Sequence, residues 1–493
     1  MFSSYHVLVR RKTMSLNVES NDVLALFNLE GDDVQSISVH NSNGQAIVDV
    51  LLRAGYPPCP SCGCQKPLIK GYTFKTIKHG VLTDRNCILN YRARRYICPV
   101  CRRTYYEHNP FVFGSMKISA MTVHNVLNDL KDYHETFSST AKRYHISPTS
   151  AASIFDSHIM MPRFQLPELM CWDETYAFFH KGEKSKYVFT ILDFNTVEPV
   201  DILPSRKKAY LHSYFYQIPI EERRRVKMIA TDMYSEYRYI IRDVFPHALH
   251  AVDHYHVVQE LSRKTDSVRI RVMKSVKKTI PGTGQMTDEY YLLKKFNWLI
   301  FKRPDSMKTY EDDYGEKHTV LLFDPNLKRK YNKKLNRHIN YYEIKDMIKA
   351  IHPDIKTAWE LKDDVTDFYM NNTYESAPEA LNELIKKFYD SGIDEMKECA
   401  GMLRRWREEI INSFIVVKVN YKVEKDNGHV VMSAQHLNTG LLENRNSIIK
   451  CIKKNSTGYT NWDRFRNRCL YVLRKDSKPR LNPEIPAKKK KQS

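Results

Sequence analysis

Apolar residues alternate with polar ones through VQSISVHNSNGQAIVDVLL, residues 34–52, which predicts β-structure. The stretches LIKGYTFKTIKHG and ILNYRARRYI read as a further hairpin. After Met121 the period lengthens. Val123, Val126, Leu127 and Leu130 then share one helical face. In SSTAKRYHISPTSAASIFDSH, Ala141 falls on a short helix, Ile146 in the turn, and Ser147-Pro148 as an N-cap and first-turn pair. Ala151, Ala152, Ile154 and Phe155 supply the buried face of the helix that follows, giving a helix-turn-helix pattern.

Strand patterning returns at Leu169. It predicts strands over 170–178, 187–194 and 199–203, a helix over 207–217, a strand over 226–231, a helix over 236–244 and a strand over 250–252. From Val257 to His436 the pattern is mostly amphipathic helix, with pieces over 257–278, 289–301, 342–370, 377–389 and 393–414. Trp298, Trp359 and Trp406 give three of these a large apolar anchor. Three meandering strands followed by strand–helix units form an RNase H-like arrangement, which sets the middle of the first strand beside the end of the fourth. Asp173 and Asp232 occupy those positions. Strand interiors disfavour Asp and a buried charge needs a partner, so a divalent cation is the simplest partner for the pair. Acids capping turns are the alternative. A third carboxylate is sought downstream, where residues 441–450 read as a helix with Glu443, Asn446 and Lys450 along one side. Leu441, Ile448 and Ile452 would serve its buried face. Glu443 would close the metal pair, Asn446 would order it, and Lys450 would meet a phosphate; the bland reading is a solvated surface Glu. Asp253, His254 and His256 form a second acidic–imidazole cluster that could hold a metal.

Charge changes this picture most. The 493 residues carry a formal net charge of +21, which points to a polyanion, most simply nucleic acid. No signal peptide and no apolar run long enough to span a bilayer is evident, so no membrane partner is expected. The opening MFSSYHVLVRRKT is basic and free of acids, as in an organellar transit segment, or it is a spurious extension ahead of a start at Met14. Six of the ten cysteines lie between Cys59 and Cys101. Cys59, Cys62, Cys98 and Cys101 form two CPxC knuckles able to set four thiolates around a structural Zn²⁺, with Cys64 and Cys87 spare. Unpaired core cysteines are the alternative. Arg94, Arg95 and Arg102, among five arginines around the second knuckle and interleaved with tyrosines, are candidate DNA contacts or a solvated basic face. Thr149, Ser150 and Ser153 would face the major groove from the second helix of the helix-turn-helix. Arg206 is a further DNA contact or a surface residue. The run over 328–334 is a solvated loop or a DNA contact, and PEIPAKKKKQS reads as a disordered basic tail.

The paired CPxC knuckles, the helix-turn-helix, WDE with the KYVFTILDFNT and DILPSR runs, TDM, VDHYHVV and ENRNSIIKCIKKNSTGYTNWDRFRNR together resemble bacterial insertion-sequence transposases of the ISL-three type, within the DDE class. The resemblance covers the chain from about Val18 to Leu473. It implies an α/β multidomain fold: a zinc ribbon and helix-turn-helix, then an RNase H-like mixed sheet interrupted by an all-α insertion. The expected division is an N-terminal segment over 1–56, a zinc ribbon over 57–112, a helix-turn-helix over 118–162, the first part of the catalytic core over 165–258, the insertion over 259–436, the rest of the core over 437–475 and the tail over 476–493. The family's catalytic triad falls on Asp173, Asp232 and Glu443, which would bind Mg²⁺ or Mn²⁺. The family usually has Asn-Gly ahead of the Glu and Gly after it; here stand Thr439-Gly440 and Asn444. The resemblance further implies two-metal-ion cleavage and strand transfer at terminal inverted repeats, target DNA as a second partner, a homo-oligomer on DNA and a bacterial, cytoplasmic, nucleoid-associated protein. For the Asp253–His256 segment it implies ordering of the active site or contact with the flanking strand. Rival readings are a catalytically inert DNA-binding regulator and a structure-specific nuclease without strand transfer.

Overall fold

The computed structural model describes residues 29–80, 84–176, 186–311, 315–423, 430–456 and 459–480, with Leu24 and Phe27. The basic opening and most of the basic tail lie outside these residues. The chain divides into two compact units, one of residues 1–162 with 451–493, the other of residues 163–450.

In the first unit, β1 (Val34–Ser42) and β2 (Gln45–Leu52) pair antiparallel across Asn43-Gly44. Both turn residues have positive φ, 51° and 75°, which matches the twist of a two-residue hairpin loop. The strands β3 (Leu68–Lys78), β4 (Cys87–Ile97) and β5 (Thr104–Tyr106) complete one sheet in the order β1-β2-β4-β3, with β5 on β4. The segment over 1–56 is therefore not separate from the cysteine-bearing module: β2 runs parallel to β4 from Ala46↔Cys87 to Val50↔Tyr91. Val48, Val50, Ile77, Leu89, Tyr91 and Ala93 bury the packed face.

Three short helices follow: α1 (Ala120–Asp129), α2 (Phe137–Arg143) and α3 (Pro148–His158). Each begins at a hydroxyl cap. Ser119, Thr136 and Ser147 accept from the amides of Thr122, Ser139 and Ser150, and Pro148 sits in the first turn of α3. The helix Trp462–Leu473 packs on this group. Tyr471 Oη donates to the Leu127 carbonyl at 3.2 Å, and Arg468 donates to the carbonyls of Asp132 and Glu135 at 2.8 and 3.0 Å. The expected core segment over 437–475 is thus divided, and its last helix belongs with the first unit.

In the second unit, β6 (Leu169–Thr175), β7 (Val188–Asp193), β8 (Pro199–Leu203), β9 (Met228–Thr231) and β10 (Leu249–Val252) form a sheet ordered β10-β9-β6-β7-β8. The first three are antiparallel neighbours, and β9 and β10 run parallel to β6. α4 (Lys208–Tyr216), α5 (Ile220–Arg224) and α6 (Ser235–Val244) connect them. Leu211, Phe215, Tyr237 and Ile240 cover one face of the sheet, over Met170, Trp172, Phe189 and Ile191.

The excursion after β10 is not all-α. Its helices are α7 (His254–Ser275), α8 (Asp288–Lys295), α9 (Tyr341–Ile351), α10 (Pro353–Asn371), α11 (Ala377–Asp390), α12 (Asp394–Arg405) and α13 (Arg407–Asn412). Between and after them stand three hairpins: β11 (Met307–Glu311) with β12 (Lys317–Leu321), β13 (Lys330–Asn332) with β14 (Arg337–Ile339), and β15 (Val416–Val423) with β16 (Val430–His436). Short strands such as MKTYE bury neither face and so carry no apolar alternation. The helix expected over 342–370 breaks at His352, held extended at φ −155° and ψ 138° ahead of Pro353. Trp359 and Trp406 are buried in the excursion's core, and Trp298 packs against it. The chain then enters α14 (Gly440–Asn455), whose residues through Lys450 belong to this unit.

Candidate metal centres and nucleic-acid contacts

The carboxylates are set by strand register. β6 and β9 pair Met170↔Ile229 and Cys171↔Ala230. Two residues further along, this register sets Asp173 beside Asp232, just past the end of β9. Side chains of one parity share a sheet face, so both acids lie on the face of Cys171 and Ala230, which packs against Leu437 and Leu442. Burial, then the charge of Glu174, pushes Asp173 up to about 7. Burial, then the charges of Glu174 and Asp173, pushes Asp232 up to about 7 as well. Removing water disfavours the charged form, and neighbouring negative charges add to the effect. These hard oxygen donors suit Mg²⁺ or Mn²⁺.

α14 and the residues just before it are tied to these strands by several bonds. Asn446 Nδ2 donates to Asp173 Oδ2 at 2.7 Å, and Arg445 donates to the Val197 carbonyl at 3.1–3.2 Å. The Cys171 thiol donates to the Asn438 carbonyl at 3.0 Å. Leu442, Asn446, Ile449 and Ile452 form the buried face; of the expected residues Ile452 is buried, while Leu441 and Ile448 are half-buried. Glu443 and Lys450 are exposed on the same side as Asn446. Among the described residues, Asp173, Asp232 and Glu443 do not form a set with ligand atoms all within 4.8 Å of one another.

Two acids have roles that composition did not reveal. Glu174 accepts from Tyr237 Oη at 2.5 Å and pairs with Arg206, whose guanidinium lies 4.2 Å from the Tyr187 ring and 5.0 Å from the Tyr234 ring. Arg206, expected to contact DNA, is thereby engaged inside the unit. Asp253 is buried at 3 % exposure and caps α7 through the Tyr255 amide at 2.9 Å. Its other oxygen accepts from the Thr439 amide at 2.7 Å and the Thr439 hydroxyl at 2.6 Å. The Thr439 hydroxyl is thus held by Asp253 as well as its amide. Among the described residues, Asp253, His254 and His256 form no set of close ligand atoms. The WDE and VDHYHVV stretches mark both acids in the sequence, but only the fold supplies their partners.

The thiol centre is local. Cys59, Cys62, Cys98 and Cys101 bring their sulfurs within 4.8 Å of one another, the one such set of three or more metal-binding side chains among the described residues. The two knuckles repeat each other. The amides of Cys59 and Cys98 donate to the carbonyls of Cys64 and Arg103 at 2.9 Å. The amides of Gly63 and Arg102 donate back to the carbonyls of Cys59 and Cys98 at 2.9 and 3.0 Å. Gly63 and Arg102 both have positive φ, 69° and 60°, a conformation costly for Arg. The amides of Cys101 and then Val100 hold the Cys98 thiol down at about 6. Four thiolate donors in this arrangement could hold zinc, leaving no open position.

The expected nucleic-acid contacts sort by exposure. Arg94 is 1 % exposed, paired with Glu107 at 3.3 Å and with Gln35 at 2.7 Å, so it is a structural residue and not a surface contact. Arg95 is half-buried and donates to Thr104 Oγ1 at 3.2 Å, whereas Arg102 is exposed. Thr149 and Ser153 are exposed on α3, while the Ser150 hydroxyl is 2.8 Å from that of Ser147. In the run over 328–334, Arg329 pairs with Glu343 at 3.0 Å and Lys334 with Asp288 at 3.2 Å. No helix among the described residues is long and apolar enough to cross a membrane.

A half-buried acid pair at two neighbouring inner strands of a mixed sheet, together with a four-cysteine cluster, sits in a chain whose residues 170–430 match the ISL-three family of transposases. The chain belongs to that family and is a DNA transposase. Over 412 residues it is 20 % identical to the transposase for insertion sequence element IS1001 of Bordetella parapertussis, covering 83 % of this chain and 86 % of that relative. The matched span includes Asp173 and Asp232 and ends before Glu443.

Proposed function

We propose that this transposase cleaves DNA at the terminal inverted repeats of an insertion sequence and transfers the strands to target DNA, using Asp173, Asp232 and Glu443 in an RNase H-like domain. The observation that carries the reading is the Asp173–Asp232 pair. It stands on one face of a sheet in which three antiparallel strands are followed by two parallel ones, and Asn446 of α14 bonds directly to Asp173. The three carboxylates would hold Mg²⁺ or Mn²⁺, which when bound favours deprotonation of a water or 3′-hydroxyl nucleophile and offsets charge on the leaving oxygen.

The chain's own residues do the positioning. Asn446 fixes one oxygen of Asp173. Asp253 fixes the start of the helix that carries Glu443. Arg206 and Tyr237 hold Glu174, so that a third acid beside the pair is compensated. Lys450, exposed on the same side of α14 as Asn446, would meet a phosphate. The four cysteines would hold structural Zn²⁺, and α2 with α3 would act as a helix-turn-helix with Thr149 and Ser153 toward the major groove. Arg102 would contact phosphate. Joining two element ends calls for a homo-oligomer on DNA, in a bacterial cytoplasm at the nucleoid.

The test is cleavage of a DNA carrying the element's ends in Mg²⁺ or Mn²⁺. Asp232→Asn is expected to lose about a thousandfold or more in cleavage and to keep end binding. If the unaltered protein binds ends and cuts under neither ion, the chain is an inert DNA-binding regulator and the reading fails.

A further inference from the structure

β3 is the outer strand of its sheet. One face packs into the core through Ile77. On the other face stand Tyr72, Phe74, Thr76 and Lys78, opposite Arg94, Arg92, Asn90 and Ile88 of β4. A sheet packed on one side is expected to show polar residues on the other. Here Phe74 is 70 % exposed and Tyr72 43 % exposed. The Arg92 guanidinium lies 4.2 Å from the Tyr72 ring centroid and 6.0 Å from that of Phe74. Arg94, buried in its pairing with Glu107, lies 5.9 Å from the Tyr72 ring. The result is an exposed planar cation beside two exposed rings. The nearby acid on this face, Asp49, accepts from Asn90 at 3.1 Å and lies 3.5 Å from His40.

We propose that this face is a stacking platform for unpaired nucleobases of a DNA single strand. The two rings offer flat apolar surface to bases, and Arg92 and Lys78 offer charge to the phosphates between them. Aromatic rings combined with cations on an open sheet suit single strands, because every base has a π-face and stacking tolerates any sequence. A duplex keeps its base faces covered by neighbouring pairs and would present mainly phosphates to the sheet. The chain's charge of +21 complements such a ligand. A second copy is the poorer occupant, because Lys70, Lys75 and Lys78 along the edge strand are all exposed and would repel an identical edge. The inference rests on this surface and not on the roles assigned to the carboxylates.

The full-length protein is tested by fluorescence anisotropy against a labelled oligothymidine and a duplex of equal length, without added divalent cation, so that the outcome does not depend on cleavage. Phe74→Ala and Tyr72→Ala are each expected to weaken single-strand binding about tenfold, as for loss of one base–aromatic stack. Phe74→Trp is expected to restore it, and duplex affinity is expected to stay within about twofold. Both side chains are exposed, and unchanged circular dichroism and bound metal confirm that the variants fold. Equal losses on both DNAs, or no loss on the single strand, would overturn the proposal. So would a Phe74→Ala variant that changes only the oligomeric mass in light scattering, since the face would then be covered by a second copy.

Discussion

The four thiols of the first unit and the acids of the second reach their places by different routes. Each cysteine pair lies within a single tight knuckle, and the two knuckles are joined by a β3–β4 hairpin. Backbone bonds within each knuckle aim the sulfurs, so the cluster depends on short-range geometry. The acids come from β6, from the end of β9 and from α14. Asn446, which reaches Asp173 from α14, is 273 positions away from it in sequence. A centre made of hairpins needs its own turns; a centre made of distant elements needs ties between them.

Removing zinc from the proposed thiol centre should have the largest effect, confined to one unit. Chelation, or Cys98→Ser, is expected to abolish the folded sheet of the first unit, because structural zinc binding is coupled to folding. Limited proteolysis would then cut within 1–162 and spare 163–450. Cutting spread equally over both would break the comparison. Within the same sheet, Arg94→Ala is expected to cost about 3 kcal/mol, since it leaves Glu107 without its buried partner. Denaturant unfolding measures that loss, and the salt dependence of DNA binding should not change. Arg102→Ala should do the reverse, lowering the salt slope by about one at constant stability.

The acid centre is sharpened by Asp253→Ala, which removes the tie without touching the carboxylate pair. Cleavage is expected to fall about 10- to 100-fold, as for loss of a residue that orients a metal ligand. The concentration of Mg²⁺ needed for half-maximal cleavage should rise, and end binding should be unchanged. Unchanged metal dependence would mean that α14 keeps its place without Asp253.

The order of the strands was legible because each carries its own apolar pattern, and strands predicted over 187–194 and 199–203 appear as Val188–Asp193 and Pro199–Leu203. The knuckles were legible because CPxC spacing is itself the geometry. Arg94 was not: an arginine in a basic stretch looks alike whether it meets phosphate or a buried Glu107, and only the sheet decides. Two hairpins of the excursion escaped because β11 and β12 bury no face, and β13 and β14 are three residues each with Ile339 their one buried side chain. The partners of Glu174 and Asp253 lie up to 186 positions away, beyond any local pattern.

Asp253 is both the cap at which the chain leaves the sheet for α7 and the acceptor for Thr439 at which it returns, 186 positions later. The excursion is therefore cinched at its neck. The entropic cost of closing a loop grows only slowly with its length, and the excursion also docks on the sheet: Asn412 donates to the His250 carbonyl at 2.9 Å, Glu409 pairs with Arg238, and Val252 lies in the excursion's core. The outer parts of the excursion can then be exchanged like a cassette, provided that the Asp253–Thr439 tie at its base and the contacts of Glu409 and Asn412 with the sheet's flank are kept.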